Sequence, residues 1–386
     1  MKFLHTADWH IGKELGAFSL LSEQWNAFQQ VVAIAEDEAV DGIIIAGDLY
    51  DRGIPPLNAV EAFEQMARIM NLEHHWPIYA VSGNHDGAVR LGAGREWRET
   101  TAFFIHTTLA EAFEPVELPD MQIFMLPFLD PLDARIYYQM SDEESRDYTS
   151  IEAVMARIIP DLVAKFKPGK HHILVTHYNV IGTGNIGYEL TSETNSQVGG
   201  LKGVPASLFA DFDYVALGHI HLRQASPTDT IRYAGSPVKF NTKEAQAEKG
   251  VYIVEVGDTV TVKWRPIQPV KDLIVIKGTF SEITAPAFYE QYARDGANWF
   301  SISLTDFPDV RNARGILTTI YGDIVEVNYV GQNAQLGNVV QSELVDGTLS
   351  DQEIISHFYE TVAEKPLSAE QVQLVETMLT DIGRGV

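Results

Sequence analysis

Five short stretches of this chain end in side chains able to bind a cation. "HTADWHIGK" sets Asp8 and His10 two residues apart. "AGDLYDRG" supplies Asp48, "SGNHD" supplies Asn84, His85 and Asp86, "VTH" supplies His177, and "GHIH" supplies His219 and His221. Each stretch closes an apolar run of the kind that forms a buried strand. Singly they are weak signals. Gly-Asp after a strand is a common turn, and a lone histidine is more often a hydrogen-bonded polar residue than a ligand. "GHIH" says more, because alternate residues of an extended segment present both imidazoles to one side. Jointly the five bring Asp8, His10, Asp48, Asn84, His177, His219 and His221 to the carboxyl ends of strands, where open α/β sheets bind ligands. Seven oxygen and nitrogen donors suit two ions, and a set without sulfur suits Mn2+, Fe2+ or Zn2+. A carboxylate is the natural bridge, which gives that place to Asp48. Paired ions clamp the attacking and leaving oxygens of a phosphoryl group. The chemistry expected is hydrolysis of a phosphate ester without a covalent nucleophile on the protein.

The elements that must position these groups follow from periodicity. Apolar runs predict strands at 2–7, 42–47, 77–83, 122–128, 172–177 and 213–219. Helical spacing predicts helices over 20–39, around Val60, Phe63, Ala67 and Met70, and over 143–166. This alternation implies a doubly wound α/β sheet. The glycines before Asp48, Asn84 and His219 are expected to let the backbone turn sharply. Beyond 219, "IRYAGS", "GVYIVEVG" and "TVTVKW" read as short antiparallel strands. Two prolines in "PIQPVKD" mark a boundary, so 1–270 forms the first domain and 271–330 a small α+β unit. Residues 331–349 read as a polar linker. Two short helices fill 350–386, with Ser350 and Ser368 as N-caps. Their apolar stripes are Ile354, Ile355, Phe358, Tyr359 and Val362 on the first, and Val372, Val375 and Leu379 on the second.

Composition sets outer bounds. The 386 residues are 45% hydrophobic and 21% charged, ordinary for a globular chain. The absence of cysteine excludes disulfides, thiolate metal sites, iron–sulfur clusters and a cysteine nucleophile. "MKFLHTAD" is too short and too polar for a signal peptide. No run reaches the ~18–20 apolar residues that span a bilayer. A soluble cytoplasmic protein with no membrane partner is expected. The net charge of −25 counts against a broad DNA surface, since phosphate contacts come from Lys and Arg. Arg90, Arg95 and Arg98 form a candidate basic rim after "GNHD".

In their order, the D-x-H, GD-x-x-D, GNHD, TH and GH-x-H motifs resemble those of the calcineurin-like metallophosphoesterases. "HTADWHIGK", "AGDLYDR", "SETNSQVGG", "DYVALGHIHLRQ" and "RYAGSPVKF" are similar to the nuclease subunits of bacterial ATPase–nuclease complexes in that superfamily. The likeness covers nearly the whole chain. It implies an α/β metallophosphoesterase β-sandwich flanked by helices, with a small α+β cap domain and C-terminal helices that bind a partner. It implies that Asp8, His10, Asp48 and His221 hold one ion, and that Asp48, Asn84, His177 and His219 hold the other, most often Mn2+. It implies that His85 faces the scissile phosphate, with Asp86 orienting it. The activity implied is 3′→5′ exonuclease on duplex DNA and endonuclease on single strands and hairpins, in DNA repair and recombination. The partners implied are DNA, a coiled-coil ATPase and a second copy of the chain. Asp51 stands where related nucleases carry a histidine, so no second catalytic histidine is expected. "GDLYDRG" also resembles the phosphate-gripping Asp-Arg-Gly of protein phosphatases. Arg52 is therefore a candidate substrate contact, and a phosphatase or small-nucleotide phosphodiesterase is the alternative. The cap, linker and terminal helices favour the nuclease, because a small-molecule hydrolase has no evident need of a docking arm.

Overall fold

In the computed structural model the chain divides into two compact units, Met1–Leu273 and Ile274–Val386. The structure describes residues 1–386 except 186–202, 295, 307, 309, 311, 331–350, 364 and 384–386, and except the side chains of 354, 357, 361–363 and 381–383. The "SETNSQVGG" stretch, the expected linker and Ser350 lie outside the described residues.

The first unit is built on two large sheets rather than the single doubly wound sheet that the alternation alone implies. Strands Lys2–Thr6, Gly42–Ile45, Ile78–Val81 and Phe103–His106 run parallel in one sheet. Lys249–Val256 and Val260–Ile267 extend that sheet antiparallel beyond Lys2–Thr6. Strands Met121–Leu126, His171–Thr176, Tyr214–Leu217 and Ile231–Tyr233 form a second parallel sheet, edged by antiparallel Val116–Glu117. "IRYAGS" is thus a parallel strand, whereas the two runs after it are antiparallel as expected.

Side-chain alternation explains why the sheets stack. A strand points successive residues to opposite faces. Along Met121–Leu126, Ile123 and Met125 join the core between the sheets, while Phe124 and Leu126 face the helical side. Along Tyr214–Leu217, Tyr214 and Ala216 point inward, and Val215 and Leu217 point outward. Both faces of these strands are apolar, so both must be covered, one by the other sheet and one by helices. Phe3, Ile44, Tyr79 and Val254 complete the inner layer from the first sheet. Val154, Met155, Ile158, Ile159 and Leu162 of helix Ile151–Val163 cover the outer face of the second sheet. Each such buried side chain stabilises the layer by ~1.5–3 kcal/mol. This helix starts later than the predicted 143–166 because the Ser150 side chain accepts from Ala153 N at 3.2 Å and caps it.

Strand Asp272–Gly278, which begins two residues before the second unit, forms a three-stranded sheet with Asn298–Leu304 and Ile324–Tyr329. Ile276, Phe300, Ile302 and Leu304 pack on Leu317 and Tyr321 of helix Ala313–Tyr321. Helices Asp351–Ala363 and Ala369–Gly383 lie side by side, joined by Gln371 Nε2 donating to the Tyr359 hydroxyl at 3.0 Å. Ser368 caps the second in a reciprocal pair with Gln371: its Oγ accepts from Gln371 N at 3.3 Å, and its N–H donates to Gln371 Oε1 at 2.9 Å.

Candidate metal centre

The parallel strands of both sheets run in one direction, so their carboxyl ends share one edge of the sandwich. Asp8 and His10 follow Lys2–Thr6, Asp48 follows Gly42–Ile45, and Asn84 and His85 follow Ile78–Val81. His177 follows His171–Thr176, and His219 and His221 follow Tyr214–Leu217. The loops are pinned in unusual conformations. Asp8, His10, Asp48 and His219 all have left-handed backbones, with φ of 53°, 43°, 52° and 91°. Non-glycine residues rarely adopt this region, at a cost of roughly 1–3 kcal/mol each, and it concentrates at functional sites. The cost is offset by hydrogen bonds between loops. Asp8 N donates to Gly47 O at 3.0 Å, and His10 N to Asp48 O at 2.9 Å. Buried Gln24 donates to the carbonyls of Trp9 and His10 at 3.0 and 2.7 Å and accepts from Gly12 N at 3.1 Å.

The glycines act in two ways. Gly47 has φ +88° and turns the chain as expected. Gly218 has an ordinary φ, and its need is space, since a Cβ there would stand 1.9 Å from the Ala46 carbonyl oxygen.

The donor atoms converge. His177 Nε2 lies 3.1 Å from Asn84 Oδ1, and His219 Nδ1 lies 2.9 Å from the same oxygen. Asp48 Oδ2 is 3.2 Å from His177 Nε2 and 3.5 Å from His10 Nε2. His10 Nε2 and His221 Nε2 are 3.1 Å apart. Asp8, His10 and His221 can share a cation, as can Asp8, Asp48 and His177.

Each carboxylate spends one oxygen on structure and leaves the other to the cluster. Asp8 Oδ1 accepts from His219 N at 2.8 Å, while Asp8 Oδ2 is buried with no hydrogen-bond partner among the described residues. Asp48 Oδ1 accepts from His85 N at 2.9 Å, leaving Oδ2 between the imidazoles. The histidines divide their ring atoms likewise. His177 Nδ1 donates to Ala46 O at 2.7 Å, and His221 Nδ1 lies 3.0 Å from Glu244 Oε1. Burial holds His10 well below its ordinary pKa and takes His219 to about 3, so both offer lone pairs at neutral pH. Burial also opposes charge on His177, but the adjacent Asp48 carboxylate outweighs it and raises His177 to about 9. Burial would raise Asp48, yet His177 and His10 hold it well below the carboxylate range. Asp8 Oδ2, buried without a donor among the described residues, and Asp48 Oδ2, set between two imidazole nitrogens, fit a divalent cation.

His85 borders the cluster, its ring centroid 4.7 Å from that of His10. Its orientation comes from Asp51, whose carbonyl oxygen lies 2.8 Å from His85 Nδ1. Asp86 does another job: its carboxylate accepts from Leu49 N, Tyr50 N and Gly83 N at 3.1, 2.9 and 2.9 Å and ties two of the loops together. The Asp51 carboxylate binds Lys13 Nζ at 2.8 Å. Arg52, with 58% of its side chain exposed, lies 3.4 Å from Asp51 Oδ2. In the expected basic rim, Arg95 pairs with Glu111, and Arg98 donates to Leu91 O at 2.8 Å, while Arg90 is exposed. Sequence reasoning missed Gln24, Glu244 and Lys249. "RYAGSPVKF" ends four residues before Glu244, and nothing local marks a helical Gln24 as a loop clamp.

A helix-flanked two-sheet sandwich with carboxylate, amide and imidazole groups gathered at its strand ends defines a metallophosphoesterase. Comparison with known proteins agrees. A family model described as calcineurin-like phosphoesterase matches residues 1–223, and one described as type 5 capsule protein repressor C-terminal domain matches residues 269–363. The chain is 30% identical over 385 residues to the SbcD subunit of the SbcCD nuclease from Staphylococcus epidermidis, with 99% of each chain covered. It is 28% identical over 382 residues to the corresponding SbcCD nuclease subunit from Staphylococcus saprophyticus, with 98% of each covered. The chain belongs to the calcineurin-like phosphoesterases and, within them, to the SbcD nuclease subunits. It is a metal-dependent phosphodiesterase. Among the described residues no helix is long and apolar enough to cross a membrane.

Proposed function

We propose that Asp8, His10, Asp48 and His221 hold one divalent ion, that Asp48, Asn84, His177 and His219 hold a second, and that both are Mn2+ in the working nuclease. The observation that carries this reading is Asp48 Oδ2, 3.2 Å from His177 Nε2 and 3.5 Å from His10 Nε2, and so common to both sets. Bound ions at such a centre polarise the phosphoryl oxygens and activate water for in-line attack. The protein's own contribution is to hold the donors in place and to handle a proton. His85 engages the Asp51 carbonyl through Nδ1, which leaves Nε2 to meet the phosphate. In its protonated form that atom donates to the leaving oxygen. Asp86 acts on the loops rather than on this ring.

The substrate is DNA, cut by 3′→5′ digestion of duplexes and by endonucleolytic opening of single strands and hairpins. The partner is an SbcC-type coiled-coil ATPase, consistent with relatives named as part of an SbcCD nuclease. A cytoplasmic homodimer is the assembly expected. With Arg95 and Arg98 engaged internally and a net charge of −25, the ATPase supplies most phosphate contacts. Its docking arm is the terminal helix pair. Ile355 and Phe358 on the first helix, and Leu374 and Met378 on the second, are exposed, which suits an apolar groove on a partner. The stripe of Val372, Val375 and Leu379 is instead half-buried.

The test is to incubate the purified chain in Mn2+ with labelled duplex DNA and with a phosphomonoester dye. Cleavage of DNA with little dye hydrolysis supports the reading. Dye hydrolysis without DNA cleavage overturns it in favour of a phosphatase.

A further inference from the structure

Behind His221 lies a charged network that the hydrolytic reaction does not touch. Glu244 is fully buried, and Lys249 is 5% exposed. Glu244 Oε1 accepts from His221 Nδ1 at 3.0 Å and from Asn241 Nδ2 at 2.6 Å. Glu244 Oε2 pairs with Lys249 Nζ and accepts from Phe240 N at 3.4 Å. Lys249 Nζ also donates to Ser236 Oγ at 2.7 Å and to the carbonyl of His221 itself at 2.9 Å. Its three donors therefore meet three acceptors. An ionised carboxylate can only accept, so the proton between His221 and Glu244 sits on His221 Nδ1. The lone pair then falls on Nε2, the atom 3.1 Å from His10 Nε2.

From this geometry we infer that Glu244, anchored by Lys249, is a positioning residue that fixes His221 as its Nδ1–H tautomer and aims Nε2 at the Asp8–His10 end of the centre. The inference rests on the proposed ligand set. Glu244 touches neither substrate nor ion. It sets the affinity of the Asp8–His10–His221 end and leaves the Asn84–His177–His219 end unchanged. The Lys249 bond to the His221 carbonyl clamps backbone and ring of one residue together, which a purely structural ion pair would not require.

The variant to make is E244L/K249M, which removes the acceptor without stranding a buried charge; apolar replacement of a buried pair is commonly tolerated. E244Q/K249M is its partner, since the amide oxygen can still accept from Nδ1. Two readouts are taken on the full-length chain. The first is the tautomer of His221 in metal-free protein, from side-chain 15N shifts assigned with His221→Gln. Wild type and E244Q/K249M should show Nδ1–H, and E244L/K249M should lose that preference. The second is Mn2+ titration by calorimetry. One of the two binding events should weaken about 10–100-fold in E244L/K249M and recover in E244Q/K249M. An unchanged tautomer, or unchanged Mn2+ affinity in folded E244L/K249M, overturns the inference, as does equal weakening of both events. If wild type binds no Mn2+, the ligand assignment itself fails, and the tautomer readout still decides what Glu244 does. If E244L/K249M does not fold, E244Q/K249M decides through the same 15N shifts: loss of Nδ1–H there overturns the inference.

Discussion

His85 Nδ1 lies 2.8 Å from the carbonyl oxygen of Asp51, a hydrogen bond that engages one ring nitrogen while the imidazole stands edge-on to His10. A ring held by a backbone atom keeps its pose when neighbouring side chains change. His85→Gln should therefore keep the fold and both ions and lose ~10²–10⁴-fold in cleavage rate, the range for a positioned acid–base group. Steady-state cleavage of a labelled duplex, alongside Mn2+ titration of the same sample, checks both halves. Wild-type cleavage would remove His85 from the chemistry, and lost Mn2+ would make it a ligand.

In the two proposed donor sets the shared side chain is Asp48, whose Oδ2 lies 3.5 Å from His10 Nε2 and 3.2 Å from His177 Nε2. Wild type should take up two Mn2+ at saturation, and Asp48→Ala should take up neither. Calorimetry counts them. A single ion in wild type, or one retained by Asp48→Ala, would show that the sets are not bridged here.

The terminal helices present Phe358, Leu374 and Met378 with more than half their surface in solvent. Replacing Phe358 and Met378 together by Asp should abolish co-purification with the ATPase subunit and leave Mn2+ uptake and hydrolysis of a small phosphodiester unaltered. A chain ending at Val330 should behave in the same way. Retained co-purification by the double variant moves the docking surface elsewhere, and aggregation of the shortened chain makes these helices part of the fold.

The gathering of polar side chains at the centre was legible because each closes an apolar run, and strand ends of parallel sheets share an edge. The split into two sheets was not legible in the periodicity, and only the family resemblance implied a sandwich. Met121–Leu126 is as apolar as Gly42–Ile45, and an all-apolar strand does not say which sheet it joins. The work of Asp86 was also hidden. The family resemblance implied that it orients His85, but its acceptor atoms meet three backbone N–H groups brought in by folding. Glu244 and Lys249 are five positions apart in a region without strong periodicity, and only the tertiary structure joins them to His221.

A pH effect follows from His5, fully buried in strand Lys2–Thr6 with Nδ1 3.0 Å from the Tyr214 hydroxyl and its ring stacked on Tyr252. Burial pushes its pKa down to about 3. The folded protein therefore keeps the ring neutral, whereas the unfolded chain takes up a proton below about 6.5. The unfolded state binds more protons in that window, so stability falls as pH drops from about 6.5 towards 3. The slope approaches ~1.4 kcal/mol per pH unit, which amounts to about 2 kcal/mol between pH 7 and pH 5. His5→Phe removes this term and keeps an aromatic ring between the two tyrosines. It loses the Tyr214 hydrogen bond at every pH, so its constant offset is irrelevant and only the change with pH is read. Urea unfolding in chelator at pH 7 and pH 5 should show the wild-type stability falling about 2 kcal/mol further than that of the variant. The centre's own histidines titrate alike in both proteins and cancel in the difference. Equal losses in the two proteins would mean that His5 is protonated in the fold at pH 5.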